Sequence, residues 1–464
     1  MVKIFTRISS RYGKGLTTVS KPISSHPQFV ILVDKLNAAS GKFSAQRHLS
    51  AVRDAFIALM PVIIAASFFI LINNVILHPQ NGLVGWLELT GSWVDALREI
   101  SLRVYNGTLN ILSFMATVMI ACKLAKSYGE DGLIYGIIAL GLLIALFPLN
   151  VAVTSPSGES FPATGLIGSE HTGATGMFVG ILVAISSTEI FRLLNQQKWL
   201  RIPMPETVPP AVVQSFNVML PVIVIFALFS TLAWGIDYFC GKTLHQLVNW
   251  LIQAPLQSIL QGLSGVLSLL FIQNGLWWMG IHGTSILYPI TETTLLVAIQ
   301  QNSSAFASHL PLPHIVTKPF IDAFGFMGGG GQTMGLMIAL FIAARRKEHR
   351  AIAKISSVAT LFNINEPLIF GLPVIFNPIL IVPFIFAPII CITIAYLATA
   401  FGLISKTCIL IPWTTPPVIS AFLATSGDWR AAGLAVMLIF ISALIYLPFV
   451  SLMNRQSCGR GDAQ

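Results

Sequence analysis

A glutamate between an asparagine and a proline, Asn365-Glu366-Pro367, stands inside an apolar stretch that runs from residue 355 to residue 385. An ionisable side chain at membrane depth costs roughly 2.5–3.5 kcal/mol, so it faces protein or a substrate path rather than lipid. The block continues as Leu368-Ile369-Phe370-Gly371-Leu372-Pro373. It thus combines a carboxylate, an amide and helix breakers, and carbonyls freed by the breaks join the side chains as partners for a polyol. A carboxylate beside a bound hydroxyl can take its proton as a general base. The competing role for Glu366 is to cap a broken helix.

Two further segments carry chemistry. Trp277-Trp278-Met279-Gly280-Ile281-His282-Gly283 ends an apolar run with two indoles and an imidazole. Tryptophans at a span end commonly form an interfacial belt. His282 lies between glycines, and small neighbours such as Gly283 let backbone and ligand approach a ring that both donates and accepts. Pro412-Trp413-Thr414-Thr415-Pro416-Pro417 pairs an aromatic platform with hydroxyls. Sugar C–H faces pack on rings while sugar hydroxyls need polar partners, and the plain alternative is a proline-stiffened turn. The candidate substrate-binding set is therefore Asn365, Trp277, Trp278, Gly283, Trp413, Thr414 and Thr415, around Glu366 and His282 as reacting groups.

Other motifs point elsewhere. Gly328-Gly329-Gly330-Gly331 has neither the Lys-Ser/Thr nor the preceding strand of a P-loop, so close packing or a chain break is expected there. Asp237, Glu292, Asp322 and Asp428 fall near span ends, where solvated or structural roles are expected. The His/Cys scatter has no metal-ligand spacing and no Gly-x-Ser-x-Gly marks a nucleophile, so neither metal nor cofactor is expected.

These residues sit in a chain of 464 residues, 55% hydrophobic and 10% charged, too few charges to cover a soluble fold of that length. Its mean hydropathy is +0.78. Apolar runs near 55–77, 109–124, 133–153, 173–191, 216–236, 259–281, 285–300, 320–344, 379–401 and 431–453 predict about ten crossings. Barrel-type alternation is absent, so the expected fold is all-α, a polytopic helical membrane protein lying in a lipid bilayer. Residues 354–376 and 408–425 hold too many breakers for regular spans and predict two re-entrant hairpins.

Net charge is +9, yet the basic residues gather at membrane ends rather than in an aromatic-interleaved patch, which argues against nucleic acid. Residues 1–54 hold nine Lys/Arg, 192–201 three and 345–354 five, whereas 154–172 hold none. By the positive-inside rule both termini face the cytoplasm. The division expected is a cytosolic segment 1–50, an amino-terminal membrane domain 51–240, a carboxy-terminal membrane domain 241–453 and a cytosolic tail 454–464. Residues 1–50 lack the pattern of a cleaved signal, and 29–36 could form an interfacial helix or pack as core. The five cysteines show no paired spacing and are expected to be reduced.

Taken in order, Gln46-Arg47-His48-Leu49, Arg53-Asp54-Ala55-Phe56-Ile57-Ala58-Leu59-Met60-Pro61, Met204-Pro205-Glu206-Thr207-Val208-Pro209-Pro210, Gly280-Ile281-His282-Gly283, the Asn365-Glu366-Pro367 block through Asn377-Pro378, Pro412-Trp413-Thr414-Thr415 and Gly427-Asp428-Trp429-Arg430 resemble the membrane component, enzyme IIC, of the sugar phosphotransferase system, in its lactose/cellobiose/diacetylchitobiose family. The resemblance implies a homodimer, with dimer contacts in the amino-terminal half and a sugar-holding carboxy-terminal half that moves like an elevator. It implies that His282 and Glu366 hold the C6 hydroxyl of a β-linked disaccharide for a phosphocysteine on a separate IIB protein, itself supplied through IIA, HPr and enzyme I. No cysteine here opens the phosphate-binding loop of a fused IIB, so the phosphoryl donor is expected on a partner. The sugar itself stays open among cellobiose, chitobiose, lactose, mannobiose and aromatic β-glucosides. Composition alone would equally allow a proton- or sodium-coupled sugar carrier.

Overall fold

The computed structural model describes residues 46–77, 83–89, 91–154, 160–205, 208–280, 282–372, 374–375 and 377–458. The expected amino-terminal segment falls almost wholly outside them, as does the end of the tail. From Ala45 onward the chain is one compact unit.

The first helix, α1 (Arg47–Leu71), starts where the Gln46 side chain accepts a hydrogen bond from the Leu49 N–H at 2.6 Å. After α2 (Ser92–Asn106) and α3 (Leu112–Ser127), the helix α4 (Gly132–Ala145) is capped by the Asp131 carboxylate, which accepts from the Leu133 N–H at 3.1 Å. The expected span over 133–153 stops here: Pro148 follows, and the chain turns into an antiparallel hairpin of β1 (Asn150–Thr154) and β2 (Ser160–Thr164), with Asn150 opposite Thr164. The helix α5 (Met177–Asn195) follows. Next comes α6 (Pro210–Cys240), which has proline at its first position and ends at Gly241 in the left-handed region, φ 61°. Both ends obey the asymmetry of helix termini, since proline needs no N–H partner at the start and glycine tolerates positive φ at the stop.

The second stretch is more broken. α7 (Leu244–Val248) opens with a Thr243/Gln246 capping box. The run from α7 through α8 (Ala254–Gln261) bends by 88° against α9 (Leu263–Trp278) at Gly262. A Cβ at Gly265 would fall 1.8 Å from the Ile259 carbonyl oxygen, so the bend depends on a residue without a side chain. α10 (Gly283–Ala307) is long but polar-studded. The expected span over 320–344 is split into α11 (Lys318–Phe324) and α12 (Thr333–Ala343) by the four glycines. α13 (Lys347–Leu361) is followed by a turn and the short α14 (Glu366–Gly371), a break in helix within the stretch 354–376. α15 (Ile381–Ala400) comes next. Over 408–425 an extended segment returns through α16 (Pro417–Ala424), closed where the N–H groups of Cys408 and Ile409 donate to the Ala424 carbonyl at 2.8 and 3.2 Å. The final helix is α17 (Trp429–Cys458).

Among the described residues six helices are long and apolar enough to cross a membrane, and a seventh if the bent pair counts as one span. The predicted ten crossings differ from this number because 133–153, 259–281 and 320–344 are interrupted and α10 is too polar to pass on composition. The fold is nonetheless helical throughout, apart from one hairpin. Glu292 and Asp322, expected near solvated ends, are each 6% exposed. Asp322 is paired with Lys318 at 2.5 Å, so of the two roles expected for it the structural one holds.

Candidate functional site

The tetraglycine is the hub. Gly328, Gly329 and Gly331 have φ of 82°, 99° and 74°, which side chains with a Cβ rarely adopt. The loop also sits too close to its neighbours for side chains: a Cβ on Gly329 would lie 2.8 Å from Asn365 Cβ, and one on Gly331 would lie 2.2 Å from Phe384. A Cβ on Gly330 would meet the Trp277 indole at 3.2 Å and Asn365 Nδ2 at 3.3 Å. Two predicted site residues from distant segments thus face the same glycine.

Hydrogen bonds lock this arrangement. The Asn365 amide donates to the Gly330 carbonyl at 3.1 Å. The Gly331 N–H donates to Asn274 Oδ1 at 2.8 Å, and the Tyr446 hydroxyl donates to the Gly331 carbonyl at 2.6 Å. Asn363 reaches three ways: its Oδ1 accepts from the Gly328 N–H at 2.9 Å, while its Nδ2 donates to the carbonyls of Trp413 at 2.6 Å and Thr415 at 3.0 Å. Asn363 holds φ 62°, a conformation that asparagine tolerates better than most residues. The 412–417 turn is therefore fastened to the Asn365-Glu366 turn through a single amide.

The aromatic segment joins from the end of α9. Trp277 is buried, and its indole N–H donates to Thr284 Oγ1 at 3.3 Å. The His282 ring lies 4.2 Å from the Trp277 ring, tilted by 46°. Glu366 is half-buried at the first position of α14, and its carboxylate acts electrostatically on His282. Trp278 is half-buried and donates to the Asn377 carbonyl at 2.9 Å. Gly283 serves a packing need of the chain itself, since a Cβ there would fall 2.1 Å from the Gln273 carbonyl oxygen. Trp413, Thr414 and Thr415 are each half-buried.

The structure thus gathers Trp277, His282, Asn365, Glu366 and the Trp413–Thr415 turn around one loop. Asn363, Asn274 and Tyr446 hold that loop, and the sequence reading assigned none of them a role. Asn363 had a visible signal, being a second asparagine two residues before Asn365. Asn274 and Tyr446 had none, because each lies on an apolar helix far along the chain. Beneath the loop, Leu336, Leu340, Leu368, Leu372, Phe384 and Val450 make a buried apolar floor.

The grouping is a half-buried carboxylate near an imidazole, with amide, hydroxyl and indole groups about them. Groups of these kinds can hydrogen-bond a polyol, and a carboxylate can take a proton from a hydroxyl. The sequence profile described as "Phosphotransferase system, EIIC" matches residues 53–388. The chain is 34% identical over 431 residues to the lichenan permease IIC component of Bacillus subtilis, covering 92% of this chain and 93% of that one. It is 31% identical over 440 residues to the cellobiose-specific EIIC component of Geobacillus stearothermophilus, covering 93% and 96%. The crystal structure of the transporter ChbC, the IIC component of the N,N'-diacetylchitobiose-specific phosphotransferase system, superposes with a TM-score of 0.85 at 31% identity, covering 94% of this chain and all of that one. With the fold matched along almost its whole length and the profile spanning most of it, the chain belongs to the EIIC family, the membrane components of sugar-specific phosphotransferase systems.

Proposed function

We propose that this chain carries a β-linked disaccharide, with cellobiose the first to test, across the bacterial cytoplasmic membrane and presents its C6 hydroxyl for phosphorylation by a phosphocysteine on a separate IIB protein. The observation that carries the reading is that Trp277 and Asn365 meet at Gly330 of one glycine loop, with the His282 ring against Trp277, the Trp413–Thr415 turn tied to the loop through Asn363, and the Glu366 carboxylate within electrostatic reach of the imidazole. The names of the similar proteins favour β-linked oligosaccharides, since cellobiose and N,N'-diacetylchitobiose are β-linked disaccharides.

In this reading the indoles pack against sugar rings, Asn365 and the threonines order hydroxyls, His282 fixes the C6 oxygen and Glu366 takes its proton as phosphorus approaches. Transfer from phosphocysteine needs acceptor and donor in line and little covalent chemistry from the carrier. The product carries negative charge beside Glu366 and leaves toward the cytosol, where it does not rebind. The sugar-holding part, residues 241–453, moves against residues 51–240, and two protomers meet through the latter, with both termini cytoplasmic. IIA, HPr and enzyme I feed the IIB partner.

Proteoliposomes with phosphorylated IIB enclosed test the reading. Supplied with cellobiose outside, they should accumulate cellobiose phosphate in the lumen. Accumulation of unmodified disaccharide that follows an ion gradient and ignores IIB would instead establish a secondary transporter.

A further inference from the structure

Transfer to a sugar hydroxyl spreads negative charge over the equatorial oxygens of the moving phosphoryl group, and sites for such chemistry neutralise it with a cation. The site above contributes a carboxylate, which repels that charge. Arginine suits the missing role because its planar fork matches two phosphoryl oxygens at once.

One arginine is placed for it. Two charged side chains act electrostatically on the His282 ring, those of Glu366 and Arg53. Arg53 comes from α1, far in sequence from every other site residue, and the packing of α1 on α10 explains its position. The Phe56 ring meets the Tyr288 ring edge-on at 5.9 Å. Further along α1, Ile70 lines a cavity with Leu296, Ile299 and Gln300 of α10. The two helices therefore run side by side in the same direction. Stepping back one turn from Phe56 to Arg53, on the same face of α1, leads to the start of α10, immediately after His282. Among the described residues the guanidinium pairs with its sequence neighbour: Nε and Nη2 each lie 2.9 Å from Asp54 Oδ1, and the Asp54 side chain is 45% exposed. Ion pairs of this exposed kind contribute at most about 1 kcal/mol, so phosphoryl oxygens can replace the carboxylate.

We infer that Arg53 is the cation that pairs with the phosphoryl group while it passes from IIB to the sugar. The inference rests on the function proposed above. In the step, the S–P bond of phosphocysteine breaks with its electron pair left on sulfur as thiolate, the bond from sugar O6 to phosphorus forms, and the hydroxyl proton goes to Glu366. Arg53 makes and breaks no covalent bond; it holds two equatorial oxygens. Because Arg53 belongs to α1 while His282 and Glu366 lie in the half proposed to move, the complete site assembles in one carrier position. Phosphorylation is thereby confined to the cytosol-facing state.

The full chain, its Arg53→Ala and Arg53→Lys variants and phosphorylated IIB decide the matter in one assay. Turnover of cellobiose to cellobiose phosphate is measured as a function of phospho-IIB concentration, with cellobiose binding followed separately. Arg53→Ala should lower kcat by roughly a thousandfold, leaving KM for phospho-IIB and the cellobiose Kd unchanged. Arg53→Lys, which keeps the charge and loses the fork, should recover part of the rate and retain binding. The inference is overturned by wild-type turnover in Arg53→Ala, by a rise in KM for phospho-IIB at unchanged kcat, or by loss of cellobiose binding in both variants. A wild-type protein that transfers no phosphoryl group overturns the functional reading together with it, whereas transfer by wild type that Arg53→Ala matches overturns the inference alone.

Discussion

Asn363 ties three segments together with one buried amide, and its removal separates site organisation from site chemistry. Asn363→Ala breaks the bonds to Gly328, Trp413 and Thr415 and leaves the Gly328 N–H without its acceptor. The expected loss is about 3 kcal/mol, seen as a lower Tm in detergent, with weaker disaccharide binding. Unchanged binding would mean that the 412–417 turn does not contact sugar. Asp428 gives a second test, one that turns on pH. Burial pushes its carboxyl up, but hydrogen bonds from Arg430 and from Ser405 outweigh that and hold it at about 2. A depressed carboxylate stabilises the fold above its unfolded value near about 3.9, and that stabilisation disappears as pH falls toward about 2. Thermal melts should therefore show wild type above Asp428→Asn at pH 6, with the gap closing as pH drops through about 4. A gap independent of pH would contradict the assignment.

Glycine carries the argument at the level of elements. The loop between α11 and α12 can hold Asn365 and Trp277 together because it has no side chains in the way and adopts positive φ three times. Gly331→Ala would place a methyl group 2.2 Å from Phe384 at φ 74°. Backbone strain alone costs roughly 1–3 kcal/mol, and the steric clash adds to it, so this variant should lose both thermal stability and sugar binding. A fully stable variant would show that the loop relaxes without consequence. How much of this was legible follows from the same physics. The breakers around Glu366 and the proline-rich 412–417 turn marked where regular helix is interrupted, because a broken helix leaves its trace in local composition. The tetraglycine was readable as a packing element, but its partners were not, since they come from Asn274, Phe384 and Tyr446 on separate helices. The expected spans 133–153 and 320–344 are longer than the helices that form there. Hydropathy sums over a window and is blind to the Pro148 stop and to a four-glycine break flanked by apolar residues.

On the scale of the whole molecule, composition alone established a helical membrane protein, and the order of separated motifs placed it among EIIC components. What neither could supply was which distant pieces meet. The register of α1 along α10 brings Arg53 toward His282, a proximity that no pattern within either helix encodes. The division of labour that results is economical. In the proposed mechanism one set of elements holds the sugar, the opening helix contributes a cation, and the partner protein brings the phosphoryl group. The central claim is that Glu366 acts on the bound hydroxyl rather than merely completing the pocket. Its most direct test is to compare wild type with Glu366→Gln in two readouts on the same preparation, cellobiose affinity by calorimetry and phosphoryl transfer from phospho-IIB to cellobiose. Since a positioned base contributes roughly a hundredfold or more, the variant should bind cellobiose nearly as well as wild type while transfer falls by at least that factor. Equal loss of binding and transfer, or transfer at the wild-type rate, would contradict the account.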